Sequence, residues 1–173
     1  FTHFRQEDVF HLWRSAPCMV VGSYQNICRE VRPVKLWRQG VPVLRRISGG
    51  GAVYHDLGNL NYSCITTQDG GVDYGKSLAP ILEALNAIGV PARQNRTSDI
   101  AIGQEKISGS AQRSAGGRLL HHGTLLFDSD LTALEDISVR ADVKSVNGNT
   151  SKANLGKCKI QGKYAGTVTD IHK

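Results

Sequence analysis

Residues 45–56 read RRISGGGAVYHD, which is the stretch that indicates the chemistry of this chain most clearly. Three consecutive glycines follow a short apolar strand predicted at residues 41–44. A loop that only turns needs one or two glycines, because glycine loses more conformational freedom on folding than any other residue. A triple glycine lets the backbone approach a ligand and direct several N–H groups at phosphate or carboxylate oxygens. Arg45 and Arg46 add charged donors for the same anions, so the stretch predicts an anion-binding loop.

This loop differs from the two common phosphate-binding fingerprints. No Gly-Lys-Ser/Thr sequence follows it, which excludes a Walker A loop. Its glycine spacing does not match the dinucleotide fingerprint, and no helix is predicted directly after it. The loop alone therefore favours an anion over a structural turn but does not identify the anion.

A second stretch with chemical meaning reads KISGSAQ at residues 106–112, soon after SDIAI at residues 98–102. Lys106 lies in a short predicted strand among small residues, which leave room for a ligand. Its ammonium group could then reach a phosphate as a compact charge. The alternative is a solvated lysine on an edge strand, and these residues leave both interpretations open.

A third stretch reads HHGTLL at residues 121–126. Neighbouring residues of a strand point to opposite faces, so His121 and His122 cannot easily bind one metal ion together. We expect one of them to face a pocket or the core and the other to face outward. For either one, a core histidine with satisfied hydrogen bonds is favoured over a ligand.

The apolar pattern predicts a mixed α/β domain built mainly on sheet. The most regular helix is expected at residues 74–88, where Leu78, Ile81 and Leu85 repeat at helical spacing and Gly89 follows. A helix at residues 30–39 is weakened by Pro33, and a short one is expected at 131–137. Further strands are predicted at residues 8–13, 18–22, 52–54, 60–66, 99–102, 106–108 and 119–127.

Length and composition limit the class of protein. The 173 residues are enough for one well-packed domain, and 40% hydrophobic with 21% charged residues is ordinary for globular proteins. No apolar run approaches the ~20 residues of a membrane helix, and Arg5, Glu7 and Asp8 interrupt any signal peptide. The four cysteines are too far apart for a CxxC pair and are expected to be reduced packing residues. We therefore expect a cytoplasmic protein that does not act at a membrane.

The formal net charge of +6 suits an acidic partner. The lysines and arginines are spread along the chain, without a basic run interleaved with aromatic residues or a recognisable binding module. Binding of nucleic acid is therefore not predicted. A nucleotide or an acidic protein surface explains the charge at least as well.

Taken together, RRISGGGAVYHDLGNLNYS, KISGSAQ and HHGTLL, in this order and spacing, resemble the lipoate–protein ligase family. They are also similar to the related lipoyltransferases and, more distantly, to biotin–protein ligases. The resemblance covers residues 9–130. It implies an α/β (α+β) fold with a mixed, largely antiparallel sheet flanked by helices, as in the biotin and lipoate ligase catalytic domain.

The resemblance also implies roles for individual residues. Lys106 would be the catalytic lysine, touching both the phosphate of ATP and the carboxyl oxygen of the acid. The expected ATP and adenylate site consists of Arg46, Gly51, Ala52, Val53, Tyr54, Asp99 and Lys106. The expected lipoate site consists of Arg46, Ser48, Gly49, Gly50, His55, Lys106 and His122, with the two histidines in a supporting role.

The reaction implied by the resemblance has two steps. ATP and lipoate give lipoyl-AMP and pyrophosphate, with Mg²⁺ on the phosphates, and the lipoyl group then passes to a lysine of a lipoyl domain. Acceptors would be lipoyl domains of 2-oxoacid dehydrogenase complexes or the glycine cleavage H protein. Two alternatives stay open: a lipoyl or octanoyl transferase that uses a preformed acyl donor, and a non-catalytic paralogue that binds lipoate or an adenylate.

Resemblance to the family weakens towards both ends of the chain. From the resemblance, we expect the helix that the family places before its first strand to be missing from this sequence. Residues 143–146 resemble the start of the segment that closes over the adenylate, but residues 147–150 read NGNT where the family has an arginine-rich stretch. We expect that residues have been omitted there, with the numbering closed up. The predicted organisation is a catalytic domain at 1–146, then a linker and part of a C-terminal accessory domain at 147–173.

Overall fold

The computed structural model describes residues 6–130, 132, 133 and 137. In this part of the chain, six strands form one antiparallel sheet in the order β1-β5-β9-β8-β7-β6, and three form a smaller sheet in the order β3-β2-β4. The strands are β1 (Val9–Trp13), β2 (Cys18–Val21), β3 (Val43–Arg45), β4 (Val53–His55), β5 (Asn59–Thr67), β6 (Ala92–Asn95), β7 (Asp99–Ile102), β8 (Glu105–Ala115) and β9 (Arg118–Leu126). The helices are α1 (Ile27–Glu30), α2 (Pro33–Arg38) and α3 (Tyr74–Ala87). The largely antiparallel α/β fold expected from the sequence is confirmed.

Strands β8 and β9 form the central hairpin of the large sheet. Gly116 and Gly117 connect them with φ angles of 58° and 71°, which a two-residue hairpin turn of type I′ requires at both positions. On the other side of β9, β5 pairs over its whole length, from Asn59 opposite Leu126 to Thr67 opposite Arg118. The three longest strands of the described residues therefore lie side by side.

One face of the large sheet packs against α3. The side chain of Asp73 caps this helix by accepting a hydrogen bond from the Lys76 amide, and Gly89 follows its end with a φ of 83°. The apolar face of α3 joins residues of the sheet in a first core: Tyr62, Leu78, Ile81, Leu85, Val90, Ala92, Ile100, Ile107 and Leu125. The helix predicted at residues 74–88 is confirmed to within one residue at its end.

The small sheet has its own core on the side of α1 and α2. Its buried apolar members are Met19, Val21, Val31, Leu36 and Ile137. The single helix predicted at residues 30–39 is wrong, because the chain forms two short helices with an extended break at Val31 and Arg32. Proline disfavours helical backbone in the residue before it but fits the first turn, so Pro33 begins a new helix.

Two further differences concern strands. Strand β6 was not predicted from the sequence, because only Ala92 is buried and the other three residues are polar and exposed. The strand predicted at residues 106–108 extends from Glu105 to Ala115 as β8. The helix predicted at 131–137 lies mostly outside the described residues, and the boundary predicted at 146/147 lies wholly outside them. Among the helices of the described part, none is long and apolar enough to cross a membrane.

Candidate active site between the two sheets

The two faces of the large sheet differ because strand residues alternate. Side chains of the helix face, among them Tyr62, Cys64, His121 and Leu125, point towards α3. Side chains of the loop face, among them Asn61, Ser63, Ala111 and His122, point towards the small sheet and the glycine loop. The candidate site lies on the loop face.

His121 and His122 point to these opposite faces, as predicted. The His121 ring packs beside the rings of Tyr62 and Tyr74, at centroid distances of 5.7 and 6.0 Å, and its Nδ1 lies 3.1 Å from Nε2 of Gln112. His122 Nε2 lies 2.5 Å from Oγ of Ser48 in the glycine loop. The expectation that one histidine faces outward is wrong, because both faces of β9 are covered and neither ring is exposed.

The glycine loop folds around the guanidinium group of Arg46. Its Nη2 donates to the carbonyl oxygens of Gly49 and Gly51, both at 2.7 Å, and its Nε donates to Gly49 at 3.1 Å. Nη1 reaches the Val20 carbonyl at 3.3 Å. Burial lowers the pKa of this guanidinium from its ordinary value. Arg46 is therefore a partly buried cation whose present partners are neutral carbonyl groups.

A second contact fixes the loop against the turn after β2. The Ser23 amide donates to the Ser48 carbonyl at 2.9 Å. Gly22 lies so close to the carbonyl group of Gly50 that a Cβ at position 22 would overlap the Gly50 oxygen. Arg45 belongs to this contact rather than to the anion side, because its Nη1 donates to the carbonyls of Gly22 and Gln25 at 2.9 and 2.8 Å. Arg46 alone of the two arginines faces the loop.

The histidines on this side are held in their neutral form. Burial, together with the positive charge of Arg46, lowers the pKa of His55 and of His122 to about 4. At neutral pH each ring therefore carries one N–H donor and one unprotonated nitrogen that can accept a hydrogen bond. The His55 ring also makes an edge contact with Trp13 of β1 at a centroid distance of 5.7 Å.

Lys106 lies further along the loop face, where a β-bulge interrupts the pairing of β7 with β8. Ala101 pairs with Lys106 but Ile100 pairs with Ser108, so Ile107 is the extra residue. The Nζ atom of Lys106 lies 2.8 Å from Oδ1 of Asp99. A Cβ added to Gly109 would lie 3.3 Å from Nζ, which shows that the lysine side chain extends over this glycine.

Strand β8 connects the lysine to the loop. Two residues beyond Gly109, the Ala111 side chain lies against Gly50, where a Cβ at position 50 would be 3.9 Å away. Arg113 donates from Nη1 to the Ile47 carbonyl at 2.7 Å. The structure thus brings Arg46, Ser48, His55 and His122 into one cluster, with Lys106 and Asp99 at the neighbouring end of the same face. The half-buried side chains of Ala52 and Tyr54 pack against the second core, which leaves their backbone groups as the contacts that suit a ligand on the other side.

Sequence reasoning missed the polar residues that β5 and β1 contribute to this face. Asn59, Asn61 and Ser63 alternate with apolar residues along β5, and Trp13 donates from Nε1 to Oγ of Ser63 at 3.3 Å. The alternation of polar and apolar residues within NLNYS would ordinarily predict that the polar residues face solvent, so the sequence carried no signal of their burial. Within the described residues, no group of three or more histidine, cysteine, aspartate or glutamate side chains could hold a metal ion.

Two bacterial relatives are similar to this chain in sequence. It is 39% identical over 159 residues to lipoate–protein ligase 1 of Staphylococcus aureus (strain Mu50 / ATCC 700699), covering 91% of this chain and 44% of the relative. It is 45% identical over 115 residues to lipoate–protein ligase LplJ of Bacillus subtilis (strain 168), covering 65% of this chain and 35% of that protein. The chain therefore spans less than half the length of these two curated relatives.

Solved structures share the fold. P. falciparum LipL1 in complex with lipoate has a TM-score of 0.73 and 29% identity, over 89% of this chain and 43% of that one. A lipoate–protein ligase A bound with ATP has a TM-score of 0.68 and 31% identity, over 77% and 59%. The bipartite ligase of Thermoplasma acidophilum, studied with its E2 lipoyl domain, has a TM-score of 0.76 and 25% identity, over 95% and 68%.

A family model also matches this chain, over nearly its whole length. Residues 1–160 match the lipoyl protein ligase A/B catalytic domain. The matched range contains the glycine loop, the bulge that carries Lys106 and the paired histidines. This chain belongs to the lipoyl protein ligase A/B catalytic domain family.

Proposed function

We propose that the protein activates lipoate with ATP, forming lipoyl-AMP and pyrophosphate, and transfers the lipoyl group to a lysine of a lipoyl domain. The observation that carries this proposal is the arrangement of Arg46, the glycine loop and Lys106 on one face of the sheet. Support also comes from relatives named lipoate–protein ligases, and from related structures that hold lipoate or ATP.

Arg46 would hold the anions. Its donors now bond to neutral carbonyls of its own loop, and hydrogen bonds to charged acceptors are roughly twice as strong. A carboxylate or phosphate would therefore replace Gly49 and Gly51 as the partner of the guanidinium. Once the hydrogen bonds from Arg46 to these carbonyls are broken, the loop could turn its N–H groups towards the same anion. Ser48, Gly49 and Gly50 would then lie on the lipoate side.

Lys106 would be the catalytic cation. Attack of the carboxylate on the α-phosphate brings two anions together, and a fixed ammonium group offsets their repulsion and stabilises charge that develops in the transition state. The bulge at Ile107 and the absence of a side chain at Gly109 leave the lysine head extended along the loop face. Asp99 fixes this head at 2.8 Å until substrates bind.

His55 and His122 would support the acid without carrying charge. Since each has a pKa of about 4, neither imidazole is protonated at neutral pH. A neutral ring beside Arg46 avoids repulsion between two cations and leaves Arg46 free for the anion. His122 would orient Ser48 through their 2.5 Å contact, which is a role in positioning rather than in proton transfer.

The nucleotide side would be formed by Gly51, Val53, Asp99 and the backbone of Ala52 and Tyr54. Mg²⁺ takes oxygen ligands and in nucleotide sites is held by one or two carboxylates together with the substrate's phosphates. Asp99 is the carboxylate beside Lys106 that fits this need. When bound, the ion would neutralise charge on the phosphates.

The acceptor would be a lipoyl domain of a 2-oxoacid dehydrogenase complex or the glycine cleavage H protein. The study of a related bipartite ligase with its E2 lipoyl domain supports this class of partner. The net charge of +6 would help to attract an acidic domain of this kind. We propose the cytoplasm as the compartment, because the three cysteines of the described part are free thiols.

A mechanism through a thiol at Cys64 is disfavoured by its position. The Cys64 side chain lies on the helix face, packed against the first core, while the glycine loop lies across the other face. Burial raises the pKa of this thiol, which lowers its thiolate fraction. Cys64 is therefore a packing residue in the proposed reaction.

Release of pyrophosphate tests the proposal. We expect the protein to release pyrophosphate when ATP and lipoate are both present, and the Lys106→Ala variant to lose this activity while remaining folded. Lys76→Ala is the matched control, since it removes the same charge from an exposed position on α3. Full turnover by Lys106→Ala would refute the assignment. A wild-type protein that transfers lipoyl groups from lipoyl-AMP but releases no pyrophosphate from ATP would be a transferase instead.

A further inference from the structure

Strand β5 carries an unusual pair of buried amides on the loop face. Asn59 and Asn61 are 0% and 2% exposed, and Nδ2 of Asn59 donates to Oδ1 of Asn61 at 3.0 Å. The Nδ2 group of Asn61 has no hydrogen-bond partner within the described part of the chain. A buried amide donor without a partner is expensive, so natural proteins rarely keep one unless something else binds to it.

The position of Asn61 relates this donor to the candidate site. Asn61 pairs with Trp13 on one side and with Thr124 on the other. Ser63, the next residue of β5 on the same face, pairs with His122, which in turn contacts Ser48 of the glycine loop. The loop face thus leads from the anion-binding end, across His122 and Ser63, to the buried amide beside Trp13.

A second orphaned atom lies in the same interior. His55 is 5% exposed, its ring contacts Trp13, and its Nδ1 has no partner among the described residues. On the loop face beyond His122, Trp13 therefore lies beside two residues, Asn61 and His55, that each have a buried polar atom without a partner among the described residues. An acid whose carboxylate lay at Arg46 and whose chain ran along the loop face past His122 and Ser63 would bring its far end to Asn61.

We propose that Asn61 determines specificity for the far end of the acid, by donating its free amide N–H to a sulfur atom there. This inference rests on the proposed function. Divalent sulfur is a weak hydrogen-bond acceptor, whereas a methyl or methylene group accepts nothing. A sulfur-free acid of the same length would leave the Asn61 donor unpaired, and a site built for a hydrogen bond discriminates against a ligand that lacks it. Lipoate would thus be preferred to octanoate for a reason beyond its size.

The experiment compares three acids that share a carboxylate. Lipoate carries the sulfur atoms, 5-cyclopentylpentanoate has the same ring size without sulfur, and octanoate is unbranched. For each acid, kcat/KM of ATP-dependent pyrophosphate release and the dissociation constant are measured. We expect wild type to prefer lipoate to the cyclopentyl acid by on the order of tenfold, as one hydrogen bond to a buried donor implies.

Asn61→Leu keeps the size of the side chain and removes the donor, so the preference should fall to about twofold or less. This variant also leaves the amide of Asn59 unpaired and could fold poorly. The double variant Asn59→Leu/Asn61→Leu replaces both partners with apolar groups of similar shape, which is nearly neutral for folding, and should lose the preference equally. Cys64→Ser, on the opposite face of the same strand, should retain it.

The results separate this inference from the proposed function. If wild type activates lipoate and the cyclopentyl acid equally well, Asn61 does not recognise the sulfur of lipoate, although the proposed ligase activity is supported. The same conclusion follows if the double variant keeps the wild-type preference, since an ordered water would then satisfy the donor. If wild type releases no pyrophosphate with any acid, but calorimetry shows the tenfold binding preference and its loss in the double variant, the proposed activity fails while the role of Asn61 stands.

Discussion

The helix face and the loop face of the large sheet are formed by the same strands, yet they carry side chains of different polarity. On the helix face, Tyr62 and Leu125 pack with α3 in a continuous apolar core. On the loop face, Ser48, His55, Asn61 and His122 are buried or half-buried polar groups, and two of their atoms, Nδ1 of His55 and Nδ2 of Asn61, have no partner within the described residues. The helix face also holds buried polar atoms without a partner in the described part of the chain, such as the Tyr62 hydroxyl, so the two faces differ in how polar their buried side chains are.

The largest difference between the faces should follow removal of Arg46. We expect Arg46→Ala to weaken binding of lipoate and ATP together, by on the order of 100-fold each, because charged two-point hydrogen bonding is lost. Calorimetric titration with each substrate measures both effects. Arg38→Ala, at an exposed position on α2, is the control. Unchanged affinity for both substrates would show that the loop does not hold the anions.

Two glycines, one on each face, allow the comparison to be made with the same substitution. On the helix face, a Cβ at Gly123 would overlap the fully buried Tyr62 ring. Gly123→Ala should therefore lower the free energy of unfolding by about 2 kcal/mol, as overpacking of a core does. Chemical denaturation measures this value.

Gly109→Ala is the counterpart on the loop face. The added Cβ would meet only the flexible end of Lys106, at 3.3 Å. Stability should change by less than about 0.5 kcal/mol, while the rate of pyrophosphate release should fall several-fold because the ammonium group is displaced. If instead Gly109→Ala unfolds the protein and Gly123→Ala does not, the assignment of the two faces is wrong.

The pH dependence of stability should involve both faces. Burial holds the pKa of His55, His121 and His122 near 4, below the value of about 6.5 for an unfolded histidine. Between these values the unfolded state binds more protons than the native state, so the free energy of unfolding should decrease as pH falls from about 6.5 to 4. Thermal melts across this range test it. His121→Gln should reduce the slope, and an unchanged slope would mean that His121 is not held neutral.

The smallest effect is expected from Cys64→Ser. The thiol lies on the helix face, away from the reacting groups, so acyl transfer should be nearly unchanged and stability should fall by less than about 1 kcal/mol. Mass spectrometry of an acceptor lipoyl domain measures the transfer. Complete loss of transfer would move the reaction to the thiol-dependent class and would contradict the division between the faces.

The sequence predicted the parts of the fold that depend on local patterns. Helix α3 has a regular apolar spacing with glycine after its end, and the glycine loop is recognisable because three adjacent glycines are costly without a purpose. The residues expected at the site were located in the sequence by family resemblance, and their proposed roles stay predictions. The opposite directions of His121 and His122 followed from strand geometry alone.

Other features depend on contacts between distant residues and left no local signal. Strand β6 is polar along most of its length, and its pairing with β7 defines it. The neutral state of His55 results from burial between two sheets and from the charge of Arg46, neither of which a short window of sequence contains. The buried pair Asn59 and Asn61 is similar, because polar residues in a strand are usually expected to face solvent.

The place of β5 between β1 and β9 has a consequence for synthesis of the chain. Thr67 lies 51 residues before its partner Arg118, so β5 leaves the ribosome well before the strand that covers its edge. At roughly 5–20 residues per second, this edge stays open for several seconds. An open strand edge is a template for pairing with other chains. Nascent chains that stall before residue 118 should therefore be the species most prone to aggregate.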